Sequence, residues 1–148
     1  MSKNLLESFR HAYDGVVFCI KNERNFRIHM FFAASITILT YLYKVQDHQM
    51  VLIVFAVMFV FVTEMINTAV EKVVDLHTKN YNKAAKNIKD IAASSVLIAA
   101  LFSAIVGIAI FNDFEKLIFV IEKIFLNFLN CALFLIYMLI NYFFIFKI

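Results

Sequence analysis

Long apolar runs are the feature that most constrains what this chain can fold into. Residues 28–43 and 50–63 form two such runs, separated by a short polar break, and a third extends over 91–111. A helix needs about 20 apolar residues to cross about 30 Å of hydrocarbon. Hydrophobic residues make up 63% of the chain and charged residues 17%, whereas soluble domains hold roughly 45–50% and about 25%. The sequence therefore predicts an all-α integral membrane protein.

We expect three spans and an additional hydrophobic segment. The spans are predicted at about 28–47, 50–75 and 88–111. Residues 112–148 form a C-terminal hydrophobic extension, predicted to be one further helix with its apolar part at about 124–146. This extension could be a fourth span, a surface element or a remnant without function.

The N-terminal segment is predicted to be an amphipathic helix over residues 3–25. It contains no pattern of a cleavable signal peptide, because charged residues interrupt every apolar stretch. Its apolar residues recur with helical spacing and form one stripe: Leu5, Leu6, Phe9, Ala12, Tyr13, Val16, Val17 and Ile20. We expect this helix to lie in the membrane interface.

The distribution of basic residues predicts the orientation. Residues 1–27 and 72–89 each contain five Lys or Arg residues, and the positive-inside rule places such segments in the cytoplasm. The net charge of +3 arises from these segments and suits anionic lipid headgroups and polyphosphate as well as topology. It therefore does not point to nucleic acid, and no nucleic-acid partner is expected.

Glycine and cysteine exclude several kinds of site. Glycine occurs only at 15 and 107. The chain therefore lacks the clustered glycines that a P-loop or a dinucleotide-binding fingerprint requires. Cys19 and Cys131 are too few and too far apart for a thiolate metal site. If the protein handles a nucleotide, side chains and a metal ion on helices must hold the phosphates.

An acidic stripe follows the second apolar run. In the segment TEMINTAVEKVVDL at 63–76, Glu64, Asn67 and Glu71 share one helical face, together with either Val74 or Asp75. Ionisable groups inside a bilayer cost about 2.5–3.5 kcal/mol each and usually have a function. Two carboxylates on one face repel each other unless a cation or proton lies between them, and Mg²⁺ suits such ligands. For Asp75, ordinary surface charge explains the residue equally well.

Further charged candidates lie on the same side of the membrane. Glu23 ends the N-terminal helix, and Asp90 begins the third span. Four lysines precede or begin that span: Lys79, Lys83, Lys86 and Lys89. Lysines in a cytoplasmic loop commonly serve topology and solvation, but Lys89 stands at the membrane boundary, within reach of a metal-bound polyphosphate.

Three segments together resemble a known family. They are SFRHAYDGVVFCIKNERNFRIH at 8–29, EMINTAVEKVVD at 64–75 and AKNIKDIAASSVLIAA at 85–100. The second is similar to the signature E-x-x-N-[ST]-A-[IV]-E-x-x-[VI]-D of the small prokaryotic membrane lipid kinases, diacylglycerol kinase and undecaprenol kinase. The resemblance covers about residues 5–111 and implies a kinase domain at 1–111. The NFRIH sequence looks more like the Gram-positive undecaprenol kinase branch.

The resemblance implies an activity and an assembly. We expect Mg²⁺-dependent transfer of phosphate from ATP to the primary hydroxyl of a membrane lipid alcohol. Undecaprenol, giving undecaprenyl phosphate, is the first expectation, and diacylglycerol, giving phosphatidic acid, is the alternative. The family implies a homotrimer in the bacterial cell membrane, with active sites between protomers on the cytoplasmic side.

The resemblance also assigns roles to residues by motif position. Glu64 would be the general base, Asn67 would order the site, and Glu23 and Glu71 would hold the Mg²⁺ that binds ATP. The residues that would contact the nucleotide are Asn80, Tyr81, Asn82, Lys89 and Asp90. This chain departs from the family in three places. Asn82 stands where Gram-negative members have His, A-K-N-I-K-D stands where some members have a shorter A-K-D, and the extension follows the third span, shortly after which family members normally end.

Two functions of other classes remain open from the sequence. Glu64 and Asn67 could line a small ion or proton channel, although no other span carries a deep acidic stripe. The stripe could instead pair helices in a noncatalytic scaffold. The sequence also leaves the lipid open, because the shape of a pocket near Phe18, Phe26, Phe31 and Phe32 would select it.

Overall fold

The computed structural model describes residues 5–78 and 80–147, with the side chain of Lys147 excepted. Lys79 and the first two residues of the predicted N-terminal helix lie outside the described residues. All regular structure in the described part is helical, which confirms the all-α prediction. The helices are α1 Leu5–Asn22, α2 Arg24–Tyr43, α3 Asp47–His77, α4 Lys83–Ile110, α5 Phe114–Phe125 and α6 Phe128–Lys147.

Local sequence explains where these helices begin and end. At the end of α2, Lys44 adopts a left-handed conformation (φ 56°), and its amide donates to carbonyls of the last turn. Gln46 and Gln49 then form a capping box at the start of α3. Asn82 Oδ1 accepts hydrogen bonds from the amides of the first turn of α4. The polar break after the first apolar run is therefore a tight turn between two helices.

Four of the described helices are long and apolar enough to cross a membrane. They are α2, α3, α4 and, within α6, Phe128–Phe146. With 31 residues, α3 is about 46 Å long at 1.5 Å per residue, which exceeds the hydrocarbon thickness. A helix of this length extends beyond the hydrocarbon unless it is strongly tilted. The prediction of an integral membrane protein agrees with these lengths, and the interfacial position of α1 stays a prediction.

The spans pack around α3. Among the described helices, α3 and α4 form the most extensive helix–helix interface, and α2 also packs on α3. A hydrophobic cluster closes the end of the bundle that lies away from Glu64. Its buried members are Tyr43, Ile53, Ile110, Phe111 and Val120. This cluster holds the ends of α2 and α4 and the start of α3 together.

The extension contains two helices, whereas a single helix was predicted. α5 packs through Val120 on the hydrophobic cluster, and the amide of Asp113 donates to the Tyr43 hydroxyl (3.0 Å). α5 ends at Phe125, with Leu126 as its C-cap residue. Asn127 then begins α6, because its Oδ1 accepts from the amides of Leu129 and Asn130 (3.0 and 3.3 Å).

α6 runs antiparallel to α2. Near the middle, the Tyr137 hydroxyl lies 2.9 Å from Ser35 Oγ and donates to the carbonyl of Phe31 (3.2 Å). Near the end, the guanidinium of Arg27 contacts the carbonyl of Ile145. α6 therefore returns the chain to the end of the bundle where α1 and α2 meet.

Candidate functional site

The acidic stripe of α3 is buried on one face of the helix. Glu64 is 3% exposed and Asn67 is 7% exposed, whereas Glu71 is half-buried. Asn67 Nδ2 donates a hydrogen bond to Glu71 Oε1 (3.1 Å). The spacing in the sequence predicted this shared face correctly, because residues three and four apart are neighbours on a helix.

Glu23 approaches this stripe from the break between α1 and α2. Its backbone is extended (φ −111°, ψ 111°), so the chain changes direction at this residue. The charges of both Glu23 and Glu71 act on Glu64, which brings the three predicted carboxylates into one electrostatic neighbourhood. Lys72 Nζ lies 3.2 Å from Glu23 Oε1 and offsets part of that negative charge.

One buried oxygen atom in this neighbourhood has unused acceptor capacity. Within residues 5–78 and 80–147, no hydrogen-bond donor contacts Asn67 Oδ1, whereas Glu23 Oε1, also buried, has the Lys72 ammonium 3.2 Å away. A buried acceptor without a donor costs about 1–3 kcal/mol. Oxygen atoms of this kind are the ligands that Mg²⁺ prefers, so their burial is consistent with a place for a cation.

The described part of the chain does not assemble a complete protein cage for a metal. No group of three or more His, Cys, Asp or Glu side chains is gathered there as a ligand set. Mg²⁺ commonly takes only one or two carboxylates and completes its shell with water and substrate phosphates. Glu23, Glu71 and the Asn67 oxygen fit that incomplete donor set.

Two lysines of α4 form ion pairs with aspartates. Lys89 Nζ donates to Asp75 Oδ1 of α3 (2.6 Å). Asp90 instead pairs with Lys86 Nζ (2.5 Å) on the exposed face of α4. Asp75, which the sequence left between surface charge and function, therefore holds Lys89 at the end of the stripe.

The loop before α4 has a visible structural role. Asn82 Oδ1 accepts from the amides of Ala84 and Ala85 (2.8 and 3.3 Å) and so caps the helix. The carbonyl of Asn80 accepts from Thr78 Oγ1 (2.9 Å). Tyr81 is 84% exposed. The predicted nucleotide contacts of these three residues stay predictions.

Sequence reasoning missed several residues that border the stripe. Lys72, Thr68 and Cys19 are neighbours of the carboxylates, and the Lys72 ammonium lies 5.8 Å from the centre of the Phe18 ring. Burial raises the pKa of the Cys19 thiol, and the charges of Glu23 and Glu64 raise it further. A helical stripe contains only residues of one helix, so it could not reveal contacts that α1 contributes.

An apolar cavity of about 470 Å³ lies between α2, α3 and α4. Its α3 wall includes Val60 and Phe61, one turn before Glu64, and its few polar members are His29, Ser35 and Ser103. Of the four phenylalanines named as candidates for a lipid pocket, only Phe32 lines this cavity. Phe31 instead packs against Tyr137 of α6, with ring centres 5.8 Å apart.

Comparison with known proteins identifies the family of this chain. The family model for prokaryotic diacylglycerol kinase matches residues 10–111. The chain belongs to the prokaryotic diacylglycerol kinase family. The matched residues include the break at Glu23, the stripe on α3 and Lys89, whereas α5 and α6 lie outside the match. The earlier assignment by motif to this family is confirmed.

Three relatives illustrate the family. The chain is 38% identical over 108 residues to a diacylglycerol kinase of Synechocystis, covering 72% of this chain and 62% of that protein's length. It is 35% identical over 105 residues to an undecaprenol kinase of Bacillus subtilis, covering 71% of this chain and 85% of that protein. A diacylglycerol kinase of Haemophilus influenzae is 31% identical over 103 residues, with 70% and 87% covered.

These comparisons indicate a lipid kinase at the level of the family. The names of the relatives include both diacylglycerol kinase and undecaprenol kinase, at similar identities. They therefore do not separate the two branches or identify the lipid. The chain spans less than two thirds of the length of the Synechocystis protein.

Proposed function

We propose that this protein transfers the γ-phosphoryl group of ATP to the primary hydroxyl of a membrane lipid alcohol, with Mg²⁺ as cofactor. One observation carries the proposal: the buried carboxylate of Glu64 lies on α3 between the residues that line an apolar cavity and the polar side chains of Asn67 and Glu71. The family match and the names of the relatives support the same reaction class.

The location of Glu64 suits a reaction between a lipid and a water-soluble nucleotide. The cavity walls reach Val60 and Phe61, one turn away on α3. A lipid tail in this cavity would stay in hydrocarbon, and its hydroxyl would meet Glu64. ATP would arrive from the cytoplasm, where Glu71 and Lys89 lie beyond Glu64 along the bundle.

Glu23 and Glu71 would hold the Mg²⁺, and Asn67 would keep Glu71 in place through their hydrogen bond. When bound, Mg²⁺ neutralises charge on the phosphate oxygens, which is much of what phosphoryl transfer requires. Lys89 and Asp90 would contact the nucleotide, with help from Asn80, Tyr81 and Asn82. No glycine-rich loop is needed, because side chains on rigid helices position the phosphates.

The reaction is a direct displacement. The lipid hydroxyl oxygen attacks the γ-phosphorus, the bond between that phosphorus and the bridging oxygen of ADP breaks, and ADP leaves. Glu64 accepts the hydroxyl proton as general base and later releases it to water. Positioning of the hydroxyl by the cavity and of the phosphates by the polar cluster supplies the remaining catalysis.

We propose undecaprenol as the acceptor and diacylglycerol as the alternative. The NFRIH sequence in residues 25–29 favours the first, since it resembles the Gram-positive branch. Undecaprenyl phosphate would be the product. We further propose a homotrimer in the bacterial cell membrane, with its active sites on the cytoplasmic side, where the basic segments of the chain lie.

One assay tests the reaction and the acceptor together. Purified full-length protein in mixed micelles is given γ-labelled ATP and Mg²⁺, with undecaprenol and diacylglycerol offered in parallel. We expect label on undecaprenol, or on diacylglycerol if the alternative holds. A channel or scaffold would label neither lipid, and this result would refute the proposal.

A further inference from the structure

Arg27 is a buried arginine at the junction of three helices. Only 7% of the residue is exposed. Its Nη1 donates to the carbonyls of Ile20 and Lys21 at the end of α1 (both 3.1 Å). Its Nε and Nη2 donate to the carbonyl of Ile145 in the last turn of α6 (3.4 and 3.3 Å). One side chain therefore joins α1, α2 and α6.

The chemistry of helix ends explains why an arginine occupies this position. The last carbonyls of a helix have no partner within the helix, and a cation near them is favoured by the helix dipole. The planar guanidinium offers five N–H donors in a fixed fork, so Arg27 can cap α1 and α6 at the same time. A lysine has a single charged atom and cannot reproduce this geometry.

A second contact joins the same junction to α6. The guanidinium of Arg24 lies over the ring of Phe146, 5.0 Å from its centre. Farther along the two helices, the Tyr137 hydroxyl contacts Ser35 and the carbonyl of Phe31. These contacts fix the register of α6 on α2, so that the last turn of α6 meets both arginines.

The junction held by Arg27 includes Glu23, the candidate cation ligand. The side chain of Arg27 binds carbonyls two and three residues before Glu23, and its amide donates to the carbonyl of Glu23 itself (3.3 Å). Arg27 thus holds the chain on both sides of the extended residue. A change at this junction would alter the direction in which the Glu23 carboxylate leaves the backbone.

We propose that the last turn of α6 acts through Arg27 as a brace that positions Glu23 for the Mg²⁺–ATP complex. Arg27 is then a positioning residue, and α6 is a determinant of affinity for that complex. The inference rests on the proposed function. It assigns a role to a helix outside the family match, since residues 10–111 end before α5 begins.

The test compares four variants of the full-length protein: R27K, F146A, the double variant R27K/F146A and the control F128A. Phe128 is 90% exposed at the far end of α6, so F128A makes the same truncation without touching the junction. Kinetics are measured separately for Mg²⁺–ATP and for the lipid.

We expect R27K to raise KM for Mg²⁺–ATP by about tenfold, because the fork geometry is lost. F146A should raise it by about threefold, because the cation–π contact that helps seat α6 is lost. KM for the lipid and kcat should change little, and F128A should match the wild type. The double variant should resemble R27K alone, since the seating of α6 by the Arg24–Phe146 contact affects Glu23 only through the Arg27 bonds that R27K has already lost. Equal effects on both KM values, or additive effects in the double variant, would overturn the proposal.

Hydrogen–deuterium exchange gives a readout that does not need catalysis. We expect faster exchange of amides in residues 20–27 in R27K and F146A, and wild-type exchange in F128A. Unchanged exchange in F146A would overturn the brace even in an active kinase. If the wild type transfers no phosphate, the proposed function fails, and the exchange experiment still decides whether α6 holds the junction.

Discussion

The region that matches the family and the C-terminal extension use polar residues in different ways. In residues 10–111, Glu64 and Asn67 are buried on α3 beside an apolar cavity. In the extension, by contrast, the charged side chains of α5 are exposed: Glu115, Lys116, Glu122 and Lys123. Asp113 and Asn127 there cap helices. Buried polar residues in the first region are candidates for catalysis and cation binding. The polar residues of the extension named here cap helix ends or are exposed to solvent.

This contrast follows from the cost of burial. A carboxylate removed from water loses hydration, which a positive charge, hydrogen-bond donors or a bound proton must replace. A buried carboxylate such as Glu64 is therefore a candidate for chemistry. The same substitution made once in each region should therefore have very different effects on activity. Each such pair of variants tests whether the two regions differ as described.

The largest difference is expected between E64Q and E115Q. E64Q removes the proposed base while preserving size, so we predict a loss in kcat of about 10³-fold, within the range typical of general bases. E115Q changes an exposed residue of α5 and should leave kcat unchanged. Lipid phosphorylation in mixed micelles measures both, and circular dichroism checks the fold. Activity of folded E64Q near the wild-type level would contradict the assignment.

A second pair compares two asparagines that donate to other groups. N67A removes the hydrogen bond to Glu71 and a candidate oxygen ligand. We predict that it raises the Mg²⁺ concentration needed for half-maximal rate by about 10- to 100-fold, as for groups that orient metal ligands. N130A removes only a bond to the carbonyl of Lys123. A Mg²⁺ titration that moves equally in both variants would count against a cation near Asn67.

The third pair compares lysines that form ion pairs with aspartates. Lys89 pairs with Asp75 in the family region, and Lys116 pairs with Asp113 in the extension. Exposed ion pairs add little to stability, so both K89M and K116M should fold. We predict that K89M raises KM for ATP by about fivefold through loss of a phosphate contact, and that K116M leaves it unchanged. Equal KM values would remove Lys89 from the nucleotide site.

The smallest effect concerns the two cysteines, one in each region. Cys19 is buried and Cys131 is half-buried. Alkylation requires the thiolate, and the raised pKa of Cys19 lowers the thiolate fraction at any pH below that pKa. Alkylation of Cys19 in the folded protein should therefore be slow at neutral pH and accelerate as the pH rises. Faster labelling of Cys19 than of Cys131 at neutral pH would contradict the packing of α1 on α3.

From the sequence it was possible to predict which residues of one helix are neighbours. The helical class and the shared face of Glu64, Asn67 and Glu71 follow from periodicity, because 3.6 residues per turn fixes which residues are neighbours. The resemblance to the family then added Glu23, which lies at the break between α1 and α2. The charges of Glu23 and Glu71 do act on Glu64 in the structure.

Relations between helices could not be predicted, because they depend on how whole helices pack. The pairing of Lys89 with Asp75 is an example, since Asp90 is adjacent in sequence but points to Lys86. The contact of Arg27 with the carbonyl of Ile145 joins residues 118 positions apart and involves a backbone group. The division of the extension could have been found, since Asn127 is a typical N-cap residue between two apolar stretches.

The most direct test of the central claim is whether Glu23 and Glu71 together bind the divalent cation that accompanies ATP. Equilibrium dialysis of the full-length protein with a non-hydrolysable ATP analogue and Mn²⁺, a substitute for Mg²⁺, measures this without catalysis. We predict retention of the analogue that depends on Mn²⁺, loss of this retention in E23Q/E71Q, and wild-type retention in E115Q/E122Q. Wild-type retention by E23Q/E71Q would contradict the account.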